Sequence, residues 1–147
     1  MAAKFYAVLD TNVLVSSMYT GNPSSTPRQI LDMMLEGTIT PLVNKEIIDE
    51  YVEVLSRDKF SFKPEDISAL IDAFKAIGID PGRTPVDNVN YPDPDDIVFY
   101  EVALSRKGSF VVTGNTKHFP KEPFVVTPAE MLEIIRNSQD AIADTPK

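Results

Sequence analysis

Apolar positions along this chain fall into short β-type runs separated by longer stretches with helical spacing. Residues 5–9, Phe-Tyr-Ala-Val-Leu, read as a short buried strand. Residues 23–27, rich in Pro, Ser and Thr, read as a loop. Thr26-Pro27 then opens a helix, with proline at its first position and Gly37 just past its end. Residues 38–43 read as a second strand, and Asn44 is placed to cap a helix that runs to about Ser56. Pro64 opens another helix, ending near Gly78. Residues 82–90 read as loop with at most a short strand, and Asp93 is placed to cap a helix to about Lys107. Residues 110–113 form a β-rich buried strand, and residues 124–126 a further short one. Thr127-Pro128 opens the last helix, which fades into polar sequence after Asn137.

This alternation of strands and helices predicts an α/β fold: a three-layer α/β/α sandwich around a mainly parallel central sheet. The expected organisation is one domain over residues 1–137 with a polar C-terminal tail at 138–147. The runs Ala7-Val8-Leu9 and Phe110-Val111-Val112 are apolar at successive positions, hence on both faces, and belong at the centre of the sheet. In this class ligands bind beyond the carboxyl ends of the strands, where the strand order reverses. Two polar clusters stand at such ends, Asp10-Thr11-Asn12 and Thr113-Gly114-Asn115.

Composition narrows the chemistry. The 147 residues are 43% hydrophobic and 24% charged, enough apolar material for a real core. There is no cysteine, which excludes disulfides, thiolate metal sites and cysteine nucleophiles. His118 is the single histidine, so neither a histidine-based metal site nor a histidine pair is expected. No apolar run approaches the roughly 20 residues that span a bilayer, and no secretory pattern opens the chain, so a cytoplasmic protein without membrane contact is expected. The net charge of −8 argues against coating nucleic acid by simple phosphate neutralisation. It permits an enzyme that brings phosphate in through bound cations and a local basic rim, and serves solubility equally well. Arg57, Lys59 and Lys63 are candidates for such a rim; Lys117 and His118 either meet phosphate at the site mouth or are merely solvated. Met33, Met34 and Leu35 read as core or as a dimer face.

Three acids sit where a carboxylate is costly. Asp10 lies between an apolar strand and Val13-Leu14-Val15; it either caps the next helical turn or serves a site. On the helix after Asn44, the residues Ile47, Ile48, Tyr51, Val54 and Leu55 form one stripe. Glu46, Asp49 and Glu53 fall opposite it, while Glu50 lies at its edge, placed to lean inward or to reach water. In Asp93-Pro94-Asp95-Asp96, helix-end electrostatics account for Asp93 and Asp95. Asp96 instead projects into the apolar arc of a helix whose wet side is marked by Glu101 and Ser105. Asp10, Glu50 and Asp96 are expected to converge near Asn115. Oxygen-only ligation suits Mg²⁺ or Mn²⁺, and such ions assist phosphodiester hydrolysis.

These motifs resemble the PIN-domain family, in order and spacing, from about residue 5 to residue 128. Leu9-Asp10-Thr11-Asn12-Val13 resembles its opening motif, and Glu50-Tyr51-Val52-Glu53-Val54-Leu55 the helix that supplies its second acid. Asp93-Pro94-Asp95-Asp96 resembles the third, and Val112-Thr113-Gly114-Asn115 stands where the fourth is expected. The resemblance implies a Mg²⁺- or Mn²⁺-dependent ribonuclease cutting single-stranded RNA, the toxin half of a toxin–antitoxin pair, with a small antitoxin partner and a homodimer. By position it makes Asp10, Glu50 and Asp96 metal ligands and, with Asn115, the catalytic set. Thr11, Asn12, Asp93, Asp95 and Thr113 support them or are ordinary turn and cap residues. Many members carry Asp at the place of Asn115; the amide keeps an acceptor oxygen and loses the charge, which puts a second metal in doubt.

Two other readings stay open at this point. One is a binding module that kept the fold and lost the chemistry through Asn115. The other is a Mg²⁺-dependent phosphatase with Asp10 as nucleophile, against which the second acid such enzymes carry two residues on is here Asn12.

Overall fold

The structure is a computed structural model and describes residues 4–19, 21–86 and 96–144. Among the described residues four strands form one sheet: β1 (Phe5–Leu9), β2 (Ile39–Pro41), β3 (Phe110–Val112) and β4 (Val125–Val126). Their order is β2-β1-β3-β4 and every pairing is parallel. The chain steps from β1 outward to β2, then returns to place β3 on the other side of β1. The strand order therefore reverses between β1 and β3, and their carboxyl ends lie side by side with Leu9 paired to Val112.

Ala7, Val8 and Leu9 are fully buried, as are Val111 and Val112. Successive strand residues face opposite sides, so both faces of the central pair are covered. The covers are α1 (Thr11–Tyr19), α2 (Thr26–Glu36), α3 (Lys45–Leu55), α4 (Pro64–Ile77), α5 (Ile97–Leu104) and α6 (Pro128–Asp144). α5 packs on β1 and β3, α2 on α1, α6 and β2, and α4 on α3 and β2. This is the expected three-layer α/β sandwich.

Local signals explain most boundaries. Pro27 sits in the first turn of α2, and Gly37 ends it in the left-handed conformation at φ 92°, where only glycine is unstrained. Asn44 caps α3 by accepting the Ile47 amide at 2.8 Å. Thr127 and Glu130 form a reciprocal capping box at the start of α6, Glu130 N–H donating to Thr127 Oγ1 at 3.1 Å and Thr127 N–H to Glu130 Oε1 at 2.9 Å.

Elsewhere the fold departs from the pattern. Residues 11–19 form a helix that the sequence did not announce, because Thr, Asn, Val and Ser are weak helix formers. Packing against α2 and α3 decides it, with Val13, Leu14 and Ser17 buried. A parallel bridge, Leu42 to Ile79, adds to the sheet beside β2; residues 82–86 carry no strand, and 87–90 lie outside the described residues. α5 spans Ile97–Leu104 with Asp96 at its N-cap position, and so stops short of Lys107; Asp93 and Asp95 lie outside the described residues. α6 continues to Asp144, past the point where the apolar period fades.

One expectation is reversed. Glu101 is not on a wet side of α5; it is 5% exposed. Residues 83–86 lie over that face. Arg83 Nε donates to Glu101 Oε1 at 2.6 Å, the Val86 amide to Oε2 at 2.6 Å, and the Thr84 and Ser105 hydroxyls bond at 2.9 Å. Arg83 also reaches Glu46 Oε2 at 2.7 Å, tying the first turn of α3 to α5. A helix apolar on most sides is buried on most sides, and its acid is retained by pairing.

Candidate active site

The switch point between β1 and β3 carries the polar cluster. Asp10 follows β1 directly, its amide donating to the Val112 carbonyl at 2.9 Å as the last rung between the strands. Its side chain is only 6% exposed. A carboxylate so placed needs donors, and β3 supplies one. Thr113 Oγ1 accepts the Asn115 amide at 3.0 Å, which leaves its own proton to donate to Asp10 Oδ2 at 2.8 Å. Asn12 Nδ2 adds a second donor to the same oxygen at 3.2 Å, and Asn12 Oδ1 accepts the Gly114 amide at 2.9 Å. Asn12 and Thr113, from the two polar clusters, together fix Asp10.

Asp96 is 9% exposed and stands at the N-cap position of α5, yet its side chain makes no capping hydrogen bond. A capping hydrogen bond therefore does not account for where its carboxylate goes. Its Oδ2 lies 3.5 Å from His118 Nδ1, and His118 Nε2 lies 3.0 Å from the Asn115 side-chain amide. A chain of contacts thus runs from Asp10 through Thr113, Asn115 and His118 to Asp96. The sequence placed His118 either against phosphate at the site mouth or in solvent, not beside Asp96. The signal that could have raised it was the short step from Asn115, which a 3-10 turn over Thr116–His118 folds back on itself.

Glu50 is half-buried on α3. The next residue, Tyr51, is fully buried and donates to the Leu9 carbonyl at 2.5 Å, which pins this turn of α3 to the end of β1. Burial first, and the Asp10 charge second, push the Tyr51 phenol well above its usual range, so it remains a neutral donor. Glu50 also lies within electrostatic reach of Arg57, one of the expected rim cations, which pairs with Glu53 at 2.9 Å.

The donor types fit a hard divalent cation: carboxylates on three elements and an amide beside them. The buried Thr11 hydroxyl, next to Asp10, has no hydrogen-bond partner, as expected of a group beside a ligand or its water. Among the described residues no three acids or histidines are already drawn around one metal-sized point. Like charges repel across such a site.

A family model described as PIN domain matches residues 6–117. The chain belongs to the PIN-domain family. PIN domains are nuclease-type folds, and PIN nucleases bind nucleic acid and typically use divalent metal ions. The PIN match takes in Asp10, Glu50, Asp96 and Asn115 and ends one residue before His118. No curated protein and no solved structure matched the chain. Among the described residues no helix is long and apolar enough to cross a membrane.

Proposed function

We propose that this PIN domain is a metal-dependent endoribonuclease that hydrolyses phosphodiester bonds in single-stranded RNA, and that it is the toxin of a toxin–antitoxin pair. The observation that carries the reading is the buried Asp10 at the sheet's switch point, held by Asn12 and Thr113, with the non-capping Asp96 joined to it through Asn115 and His118. Asp10, Glu50 and Asp96 would hold Mg²⁺ or Mn²⁺, with Asn115 in the fourth place. When bound, the ion supplies an activated water and neutralises charge on the phosphate.

The chain's own residues do the positioning. Thr113 and Asn12 both hold Asp10 by Oδ2, fixing the orientation of the carboxylate. Tyr51 carries α3, and with it Glu50, to the end of β1. The toxin role brings a small antitoxin protein and a homodimer with it as further proposals from the family resemblance. Asn12 bears on the phosphatase alternative: an amide there, engaged with Asp10 and the Gly114 amide, supplies no second acid.

Labelled RNA incubated with the pure protein in Mn²⁺, Mg²⁺ or EDTA tests the reading. Cleavage is expected with metal, is abolished by EDTA and falls at least ~100-fold in Asp96→Asn. Cleavage that survives both changes rules out the metal mechanism. A well-folded protein that cuts no RNA under any condition is the binding module instead.

A further inference from the structure

We infer that His118 is a nitrogen donor to the same divalent ion as Asp96, and that this makes the site prefer Mn²⁺ over Mg²⁺. The inference rests on the metal-dependent reading above and goes beyond an all-oxygen site. Its basis is the pair itself: Asp96 Oδ2 and His118 Nδ1 are 3.5 Å apart. Neighbouring donor atoms on one six-coordinate ion stand roughly 3 Å apart, so a small closure of this pair brings both within bonding distance of one ion.

The second observation is Asn115. A metal-binding imidazole needs its other nitrogen occupied by a partner that fixes the tautomer. His118 Nε2 has its partner in Asn115, whose side-chain nitrogen Nδ2 stands 3.0 Å away. Rotation about one bond turns the Asn115 oxygen in place of Nδ2 to Nε2; the ring then carries its proton there and leaves the Nδ1 lone pair beside Asp96, and the fourth place on the ion falls to His118 rather than to the Asn115 oxygen. Asn115 is itself anchored, its backbone amide donating to Thr113 Oγ1, the hydroxyl that holds Asp10. His118 is half exposed while the Asp96 carboxylate is largely enclosed, so an ion between them has an open side for water or phosphate. Imidazole nitrogen binds Mn²⁺ and later transition ions better than Mg²⁺, which demands oxygen and holds its water.

The lone histidine makes the test clean. Pulsed electron paramagnetic resonance on the Mn²⁺-loaded, full-length protein reads ¹⁴N coupling from a directly bonded imidazole, and any such signal belongs to His118. The expected result is that coupling in the unmodified protein and its loss in His118→Ala. Calorimetric titration with Mn²⁺ and Mg²⁺ alone provides a second readout. His118→Ala is expected to weaken Mn²⁺ binding by roughly 10-fold or more, with Mg²⁺ less affected. His118→Asp, which restores an oxygen donor, is expected to move the preference toward Mg²⁺. Bound Mn²⁺ without nitrogen coupling overturns the inference, and leaves the nuclease reading standing if RNA is still cut. Nitrogen coupling without RNA cleavage upholds the His118 assignment and overturns the nuclease. Failure of Mn²⁺ to bind overturns the inference, and failure of both Mn²⁺ and Mg²⁺ to bind overturns the metal-dependent nuclease as well.

Discussion

Thr113 Oγ1 donates to Asp10 Oδ2 across 2.8 Å, joining the ends of two strands that are 103 residues apart in sequence. The same hydroxyl accepts the Asn115 amide, so one side chain orders an acid, a strand end and the turn that follows. Thr113→Val keeps the shape and removes both roles. It is expected to destabilise the fold by about 1–2 kcal/mol, read as a lower urea midpoint, and to slow RNA cleavage. Thr113→Ser is expected to retain most of both. Equal stability of the Val variant and the parent would show that the bond does not matter.

Tyr51 joins α3 to β1 through the Leu9 carbonyl. Removal of its hydroxyl in Tyr51→Phe leaves that buried carbonyl without this donor, and is expected to cost about 1–3 kcal/mol. The pH dependence has a definite sign. The folded-state pKa lies above the ordinary value of 10.0, so between the two the native state holds a proton that the unfolded chain has lost. The stabilising contribution is complete below about pH 10 and declines as the pH rises further. Ultraviolet titration near pH 10 should be the same for native Tyr51→Phe and native parent, with one tyrosine fewer ionising in the variant only once both are unfolded, and stability from pH 9 to 11 should fall less steeply for Tyr51→Phe than for the parent.

Arg83 bridges the exposed Glu46 and the buried Glu101. Arg83→Ala leaves a buried carboxylate with the Val86 amide but without its cation. Because the arginine is itself partly exposed, the expected loss is roughly 1–3 kcal/mol, less than for a fully buried pair. A double variant with Glu101→Gln should be more stable than the sum of the single losses predicts, which chemical denaturation of all four proteins checks. Strict additivity would mean that the two side chains do not act as a pair.

Gly78 ends α4 where no side chain fits. A Cβ there would stand 2.5 Å from the Phe74 carbonyl oxygen and 2.7 Å from Val43 Cγ2. Backbone cannot yield as a flexible side chain does, so Gly78→Ala is expected to lower stability by about 1–3 kcal/mol. An unchanged melting temperature would contradict this packing.

These relationships show what a sequence can and cannot disclose. Pro27 with Gly37, and Asn44 before Ile47-Ile48, are local devices whose physics is complete within a few residues, and the helices they bound were legible. The central place of β1 and β3 was legible too, because only covered strands are apolar at successive positions. Asp10 and Asp96 stood out as acids in apolar surroundings. What escaped depends on remote partners. α1 is held by α2 and α3 against its own weak propensity. Glu101 looked solvated because Arg83, 18 residues earlier, was not known to cover it. The approach of His118 to Asp96 follows from a 3-10 turn and a helix start that meet only in the folded sheet.

The account turns on whether acids from β1, α3 and α5 meet around one ion, and a crystal soaked in Mn²⁺ and measured at the manganese absorption edge answers that directly. The expected map holds an anomalous peak at the carboxyl ends of β1 and β3, ligated by Asp10, Glu50 and Asp96. A peak elsewhere, or none at Mn²⁺ concentrations that support RNA cleavage, would contradict the site described here.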